Sequence, residues 1–273
     1  MTEPRDPRRR FPDAREDLVR WDRAPDTPQT RSPSYRLAFS DGDFLTRDEL
    51  RPVRLQLELL KAEMALAEHG IASTIVMLGS ARIPDPAQAK EAPEGLAKLA
   101  PFYDEARAFA RICTERALAT GNRENVVCTG GGPGIMEAGN RGAVDAGGVS
   151  ISLNIVLPHE QRPNIWGTPE LSFNFHYFDV RKMHFLMRAR AIAVFPGGFG
   201  TLDELFEVLT LVQTSRMKRL PILLFGESFW RGVLNWQALV EAGTIAPDDL
   251  DLVTYVQSAR EAWELIDAWE QAE

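Results

Sequence analysis

This sequence has little cysteine, no long apolar run and no excess of positive charge. Its 273 residues include only two cysteines, Cys113 and Cys128, so no disulfide framework is expected and a reducing cytoplasm is the predicted location. The four histidines share no ligand spacing with these cysteines, which predicts no metal site. No apolar run reaches the roughly 18 residues of a membrane span, and we expect no secretory signal. The net charge of −8 argues against a nucleic-acid binder.

The composition is typical of a globular protein with a polar N-terminal segment. Hydrophobic residues make up 44% and charged residues 26% of the chain. Residues 1–45, rich in Arg, Asp and Pro, are predicted to form a poorly ordered arm. Within it, Arg8–Arg10 is either a solvated charge run or a contact for a partner subunit or a polyanion. Apolar residues at helical spacing predict an N-terminal helix over residues 46–70 with Gly70 as its stop, and residues 71–273 are predicted to form one domain.

Short apolar segments alternate with helical patterns after the N-terminal helix. The predicted strands are STIVMLGSAR, NVVCT, VSISLNIVL, AIAVF and LPILLF, with a further short strand in PELSFNFHYF. Apolar strands of this kind are typical of a parallel sheet that is covered on both faces. The sequence therefore predicts an α/β fold, a Rossmann-like three-layer sandwich with a mostly parallel sheet and helices on both faces. Two helices, over Phe229–Gly243 and Ser258–Gln271, are predicted to close the chain.

Glycine-rich turns follow three of the predicted strands, at Gly79–Ser80, Gly130–Gly134 and Gly197–Gly200. In an open parallel sheet, ligands bind beyond the carboxyl ends of the strands. Glycine lets the backbone come close to a ligand, and the N-terminus of the following helix favours a phosphate. No Gly-Lys-Ser/Thr follows these turns, and TGGGPG does not have the spacing G-x-G-x-x-G. We therefore expect a ligand smaller than a dinucleotide, such as a mononucleotide.

Two carboxylates and two cations accompany the third glycine turn. Asp203 and Glu204 fall in the first turn of the helix that follows it, where acids complement the helix dipole. A carboxylate beside a phosphate loop is also suited to face a sugar, where it accepts hydrogen bonds from ribose hydroxyls or orients a water. Arg181 and Lys182 lie at the start of the preceding helix, where cations oppose the dipole, so their placement indicates an anionic partner.

These motifs together resemble those of one protein family. PGGFGTLDE (Pro196–Glu204) is similar to the PGGxGTxxE signature of the LOG ("lonely guy") proteins, and RK at Arg181–Lys182 stands at that family's spacing before it. GGGPGIM (Gly130–Met136) resembles the first glycine loop of the family. The resemblance covers about residues 74–267. Short members commonly have MHERK where this chain has FDVRK (Phe178–Lys182), so a different base pocket is expected.

The resemblance implies an N-glycosyl hydrolase that needs no cofactor. LOG proteins are cytokinin riboside 5′-monophosphate phosphoribohydrolases, and many bacterial members act on AMP. The implied reaction converts a nucleoside 5′-monophosphate to its free base and ribose 5-phosphate, with Arg181 and Glu204 as the catalytic residues of a domain over residues 71–273. The expected phosphate and ribose contacts are Gly131, Gly132, Gly197, Gly198, Gly200, Thr201, Ser80 and Lys182. Met136 is expected either in the base pocket or in the core.

Three other functions share parts of this pattern. Older labels describe the family as possible lysine decarboxylases, but of the five lysines only Lys182 lies near the predicted pocket, and no typical PLP-lysine motif surrounds it. A molybdenum-cofactor carrier of the same fold needs the phosphate loops but not a sugar-directed carboxylate such as Glu204. A single-strand DNA-binding protein is disfavoured by the acidic balance of the chain.

The expected partners are a small nucleotide and further copies of the chain, without nucleic acid or membrane. The family forms dimers and larger assemblies, so the resemblance implies a homodimer or a higher homo-oligomer. The helices predicted over Val180–Arg190 and Leu202–Thr214 are the expected interface, because their apolar residues exceed what one sheet face can cover.

Overall fold

The structure, a computed structural model, describes residue 11 and residues 13–158 and 162–272. The tripeptide Arg8–Arg10 lies outside the described residues. The chain divides into two units, residues 1–57 and residues 58–273, and the larger unit contains the whole sheet. In the described part of the chain, no helix combines the length and the apolar composition that a bilayer requires.

The smaller unit is built from short helices that are capped by aspartates. Its helices are α1 (Ala14–Asp22), α2 (Gly42–Leu45) and the first residues of α3 (Arg51–Glu68). The Asp13 carboxylate accepts a hydrogen bond from the Arg15 N–H at 3.0 Å, and Asp41 caps α2 in the same way. No residue of α1 is buried. The sequence signals for this helix are polar ones: the aspartate at its N-cap, Glu16 and Asp17 in its first turn and Arg20 in its last turn.

Seven parallel strands form one sheet in the larger unit. They are β1 (Thr74–Leu78), β2 (Val126–Thr129), β3 (Ser150–Ile155), β4 (Ser172–Phe175), β5 (Ala189–Val194), β6 (Ile222–Phe225) and β7 (Thr254–Val256). Their order across the sheet is β4-β3-β2-β1-β5-β6-β7. Strands β1, β2 and β6 are buried along their whole length, as expected for apolar strands that are covered on both faces.

The strand order reverses between β1 and β5, and this reversal sets the ligand-binding edge of the sheet. The chain adds β2, β3 and β4 on one side of β1, and then adds β5, β6 and β7 on the other. A crevice opens at such a reversal, beyond the carboxyl ends of the strands. Leu78 of β1 pairs with Val194 of β5, so the turns that begin at Gly79 and Pro196 lie side by side.

Helices connect the strands and cover both faces of the sheet. In the larger unit they are α4 (Glu94–Ala97), α5 (Pro101–Ala119), α6 (Ile135–Asp145), α7 (Phe178–Met187), α8 (Phe199–Gln213), α9 (Glu227–Val233), α10 (Trp236–Glu241) and α11 (Ala259–Ala272). Right-handed crossovers in opposite directions from β1 put α5 and α6 on one face and α8 on the other. In the core, the Phe195 ring stacks on Phe225 at 4.1 Å, and Phe109 meets Phe225 edge-on at 5.6 Å. The predicted Rossmann-like α/β sandwich is confirmed.

The C-terminal part of the chain differs from its prediction in two places. The single helix predicted over Phe229–Gly243 is two helices, α9 and α10. Leu234 is extended, with φ −120° and ψ 119°, and Asn235 then caps α10 by accepting a hydrogen bond from the Ala238 N–H at 3.1 Å. Strand β7 is absent from the prediction because it has three residues, of which only Val256 is buried. So short a segment has no readable periodicity.

Candidate active site

A cavity of about 730 Å³ opens at the carboxyl ends of the central strands. Its volume lies within the range of small-molecule sites. All three glycine turns contribute to its wall, through Gly79, Ser80, Gly130, Gly132, Gly198 and Gly200. The cavity therefore lies where the reversal of strand order predicts a ligand.

The Gly79–Ser80 turn holds the other two glycine turns together. The Ser80 N–H donates to the Pro196 carbonyl oxygen at 3.1 Å, and the Ser80 carbonyl oxygen accepts from the Ile135 N–H at 3.1 Å. Gly134 lies over this turn with φ +67°, and a Cβ at its position would come within 2.4 Å of the Ser80 carbonyl oxygen. Only glycine fits there. These backbone hydrogen bonds fix the spacing between the N-termini of α6 and α8.

The N-terminus of α8 is suited to bind an anion. Gly198 is its N-cap, and no side chain caps the helix, so its first N–H groups and the positive end of its dipole are available to a ligand. A Cβ at Gly198 or Gly200 would have no atom within 4 Å, which leaves space above the turn. Thr201 is buried, and a Cβ at Gly197 would come within 2.2 Å of its Oγ1. Gly197 is therefore required by packing against Thr201.

Arg181 and Glu204 form the charged centre of the cavity. Arg181 Nη1 donates to Glu204 Oε1 at 3.2 Å, and Arg181 Nε donates to the Leu153 carbonyl oxygen at 2.7 Å. The guanidinium carbon lies 5.0 Å from the Phe185 ring centroid. Gly130 permits this approach, because a Cβ at its position would lie 2.5 Å from Arg181 Nη2. Only 9% of the Arg181 side chain and 16% of the Glu204 side chain are exposed.

Burial controls the protonation of Glu204. It raises the pKa of this carboxyl to about 7, against the lowering effect of the Arg181 guanidinium. Glu204 therefore exchanges its proton near neutral pH, the range in which an acid or base works best in catalysis. Burial also raises the pKa of the Cys128 thiol, so this cysteine is not an activated nucleophile.

Most of the site residues predicted from the sequence line the cavity. They are Ser80, Gly132, Met136, Arg181, Gly198, Gly200, Thr201 and Glu204. Lys182 does not line it, because its Nζ lies 3.3 Å from the Asp203 carboxylate and 3.2 Å from Glu207. Lys182 thus forms an ion pair with α8 here, and its phosphate contact stays a prediction.

Gly131 also differs from its predicted role. Its N–H donates to Thr129 Oγ1 at 3.0 Å, and its carbonyl oxygen accepts from the Asn164 N–H at 2.8 Å. Both of its backbone polar groups are therefore used within the protein, and neither is left for a phosphate. Gly131 and Gly197 do not belong to the cavity lining, so the glycines that face a ligand are fewer than the motifs predict.

Several lining residues were not identified from the sequence. They are cationic, amide or aromatic, namely Arg82, Arg162, Asn154, Asn174, Phe173, Phe178 and Phe185. Asn154 and Asn174 are register partners at the ends of β3 and β4. A polar residue at the end of an apolar strand was the signal that could have found them. Within the described ranges, no three His, Cys, Asp or Glu side chains are grouped to hold a metal ion.

Comparison with known proteins points to the same family as the motifs. The family described as "Possible lysine decarboxylase" matches residues 136–266. The cytokinin riboside 5′-monophosphate phosphoribohydrolase LOG7 of Arabidopsis thaliana is 27% identical over 184 residues, which are 59% of this chain and 83% of that protein. LOG1 of the same plant is 26% identical over 174 residues, which are 56% of this chain and 80% of that protein. Over these residues, this chain is similar to proteins of the LOG family.

Among solved structures, the molybdenum cofactor binding protein from the phototrophic bacterium Rippkaea orientalis is similar to this chain. The two are 17% identical, with a TM-score of 0.48, and the match covers 72% of this chain and 96% of that one. A likeness of this degree does not distinguish an enzyme from a carrier. The functional proposal for this chain therefore depends on the chemistry of its own cavity.

Proposed function

We propose that this chain hydrolyses the N-glycosidic bond of a nucleoside 5′-monophosphate, either AMP or a cytokinin riboside monophosphate. The products are the free base and ribose 5-phosphate. The observation that carries this proposal is the Arg181–Glu204 pair. The Glu204 carboxylate has little exposure, lies 3.2 Å from the Arg181 guanidinium and belongs to α8, the helix whose N-terminus has no side-chain cap. The phosphoribohydrolase activity in the names of the LOG relatives supports it.

The cavity offers a separate environment for each part of such a nucleotide. We place the 5′-phosphate at the N-terminus of α8, where the N–H groups of Gly200 and Thr201 are its donors. Glu204 lies on the same helix, within the first turns, and so faces the ribose. The base then extends towards β3 and β4, where the lining is apolar and aromatic and carries the Asn154 and Asn174 amides.

Cleavage of the bond between C1′ and the base leaves positive charge on the ribose. An ionised carboxylate stabilises that charge, and a preorganised one does so without reorganisation during the reaction. Glu204 accepts hydrogen bonds from the ribose hydroxyls and orients the water that attacks C1′. The water supplies the hydroxyl group to C1′, and its remaining proton ends on the departing base. Arg181 favours the ionised form of Glu204 and fixes its orientation.

A molybdenum-cofactor carrier would use the phosphate site without turnover. Such a carrier has no use for Glu204, because without bond cleavage no positive charge develops for the carboxylate to stabilise. Burial of that carboxylate opposes its ionisation, as its raised pKa indicates. A group that is unfavourable for stability is typical of a catalytic residue, and this favours the hydrolase over the carrier.

Base release from a panel of nucleoside monophosphates, followed by chromatography, tests the proposal. We expect the wild type to release adenine from AMP, and Glu204→Gln to lower kcat by about 100-fold or more, the usual loss for a group that stabilises transition-state charge. Glu207→Gln is the matched control, because Glu207 lies on the same helix, pairs with Lys182 and is outside the cavity. It is expected to keep activity within a few-fold of the wild type.

Two results contradict this proposal. The first is no base release by the wild type from any nucleotide while a phosphate ligand still binds, which favours the carrier. The second is an equal loss in Glu204→Gln and Glu207→Gln, which would indicate a general disturbance of α8. Adenosine provides a further control, since without the 5′-phosphate it should be a much poorer substrate than AMP.

A further inference from the structure

Helix α3 holds the chain at the point where α7 begins. The N-cap residue of α7, Tyr177, makes no side-chain hydrogen bond to the helix. Instead, Glu58 of α3 accepts from the His176 N–H through Oε1 at 2.8 Å and from the Tyr177 N–H through Oε2 at 3.1 Å. A carboxylate at this position accepts from the backbone just before the helix and complements the helix dipole. The start of α7 is therefore held by α3.

The same helix also holds the other end of α7. Arg188 is the residue that follows α7, and its Nη1 and Nη2 donate to the two carboxylate oxygens of Glu63, with 3.0 Å between Nη2 and Oε2. Arg188 Nε donates to the Ile71 carbonyl oxygen at 3.2 Å. A paired guanidinium and carboxylate fix orientation as well as distance. Only 16% of the Arg188 side chain and 27% of the Glu63 side chain are exposed.

Between these ends, a buried histidine of α7 also lies against α3. One His184 ring nitrogen lies 3.4 Å from Glu63 Oε1, and the His184 ring centroid lies 5.3 Å from that of Phe175. Burial lowers the pKa of His184, so the ring is neutral at pH 7 and Arg188 is the cation that pairs with Glu63. Helix α7 is thus held to α3 near its start, in its second half and just after its end.

These contacts lead directly to the charged centre of the cavity. The Arg181 N–H donates to the Tyr177 carbonyl oxygen at 3.1 Å, and Tyr177 is the residue whose own N–H Glu58 holds. A shift at the start of α7 therefore moves Arg181 relative to Glu204. A helix of ten residues has little stability of its own. Catalytic geometry, in contrast, must be held to within about 0.5 Å.

We propose that Glu58 and Glu63 are positioning residues for Arg181. Helix α3 clamps α7 at both ends and so fixes the guanidinium against the Glu204 carboxylate, although no α3 residue lines the cavity. The effect on turnover rests on the proposed hydrolase function, whereas the effect on the position of Arg181 rests on these contacts alone.

The test compares Glu58→Ala and Glu63→Ala with two matched controls. Glu105→Ala removes a carboxylate that accepts from the Ala259 N–H at 2.8 Å, at the start of α11. Asp145→Ala removes the partner of a two-contact guanidinium pair with Arg107, which links α6 to α5. Each control deletes the same kind of contact as one clamp variant, but away from α7.

Two measurements are made on each variant. The first is the pKa of Glu204 in the ligand-free protein, from carbon NMR of its carboxyl group. It should rise in the clamp variants because Arg181 lowers this pKa. The second is base release, in which kcat should fall about 10- to 100-fold, the loss that a misplacement of about 1 Å causes. KM should stay within about 2-fold because the phosphate site on α8 is intact. The controls should change neither the Glu204 pKa nor kcat.

A clamp variant with an unchanged Glu204 pKa and no greater loss of kcat than its control overturns the inference. In an Arg181→Ala background, Glu58→Ala should cause no further loss, and an additional loss there also contradicts it. If the wild type releases no base, the proposed hydrolase function fails, while the Glu204 titration still decides the clamp. If Glu58→Ala does not fold, Glu58→Gln takes its place. It keeps one acceptor oxygen and should give a smaller shift in the same direction.

Discussion

The carboxyl group of Glu204 is subject to two opposing effects that differ in physical origin. Burial disfavours its charge and raises its pKa to about 7, while the Arg181 guanidinium favours its charge at a distance of 3.2 Å. The proposed chemistry needs the ionised form, because only a carboxylate stabilises a positive ribose. The protonated fraction near neutral pH is therefore inactive, and both activity and stability should vary with pH in this range.

We expect kcat/KM for base release to rise with pH through about 7 and then to level off, as Glu204 loses its proton. Stability should vary in the opposite sense. The ordinary pKa of 4.5 is raised to about 7 in the folded protein, so between these values the folded state keeps a proton that the unfolded state has released. The free energy of unfolding therefore falls as pH rises through this window.

Urea unfolding of the wild type and Glu204→Gln at a series of pH values checks this effect. The glutamine variant cannot ionise, so its stability relative to the wild type should grow from pH 4.5 to pH 7, by at most about 3 kcal/mol. Residual solvent contact of Glu204 reduces that figure. Glu207→Gln is again the control. A pH-independent difference between the wild type and Glu204→Gln would mean that the pKa of Glu204 is not raised.

Single residues differ in how far the sequence reveals their role. Arg181 and Glu204 could be predicted, because a cation at a helix start opposes the helix dipole and the glycine turn before Glu204 predicts an anionic ligand. The position of Lys182 could not be predicted. Whether its ammonium contacts a phosphate or the carboxylates of Asp203 and Glu207 depends on how α7 and α8 pack. The partner of the Gly131 N–H could not be predicted either. It is Thr129 Oγ1, a side chain two residues earlier in a strand.

Among the loops, the turn that ends in Gly134 is fixed by both conformation and space. Gly134 has φ +67°, and a Cβ there would lie 2.4 Å from the Ser80 carbonyl oxygen. Gly147 has a similar φ of +77°, but no atom lies within 4 Å of a Cβ at its position. Gly134 also has ψ −128°, a conformation that essentially only glycine adopts, so it combines a higher backbone cost with the clash, whereas Gly147 has a positive φ in open space.

We expect Gly147→Ala to destabilise the protein by about 1 kcal/mol, which is the backbone cost alone. Gly134→Ala should cost more, about 2–4 kcal/mol, and should also weaken AMP binding, because the backbone of the Gly79–Ser80 turn must move. Thermal unfolding and calorimetric titration with AMP measure the two effects. Equal destabilisation by both substitutions would show that the loop relaxes without strain, and the proposed rigidity of this turn would be wrong.

Whole elements were predicted where an apolar pattern was long enough to read. Strands such as β1 and β5, with five and six residues, and the 15-residue helix α8 are of this kind. The break between α9 and α10 was missed, because an apolar helical pattern continues across Leu234 and Asn235. Asn235 is a favoured N-cap residue, but it also occurs within helices, so only its hydrogen bond to Ala238 decides its role.

The topology of the larger unit explains why distant motifs make one site. The glycine turns at residues 79–80, 130–134 and 197–200 follow β1, β2 and β5, which are neighbours in the sheet. Parallel pairing brings the carboxyl ends of these strands to one edge. The sequence predicts the parallel sheet, but strand order follows from packing. The contribution of α3 to the support of Arg181 could therefore not be predicted from periodicity.

Apolar side chains remain exposed on α7 and α8, the two helices that carry the charged centre. We propose that they form the interface of a homodimer or a higher homo-oligomer. Met183 and Met187 on α7 are each 48% exposed, and Phe206 on α8 is 38% exposed. The two methionines are four residues apart and so lie on one helix face.

Light scattering at micromolar concentration should give at least twice the monomer mass. The double substitution Met183→Glu with Met187→Glu should lower this mass towards that of one chain, because burying a carboxylate opposes association. Val233→Glu, at a side chain 47% exposed on α9, is the control and should leave the mass unchanged. A monomeric wild type would remove the interface.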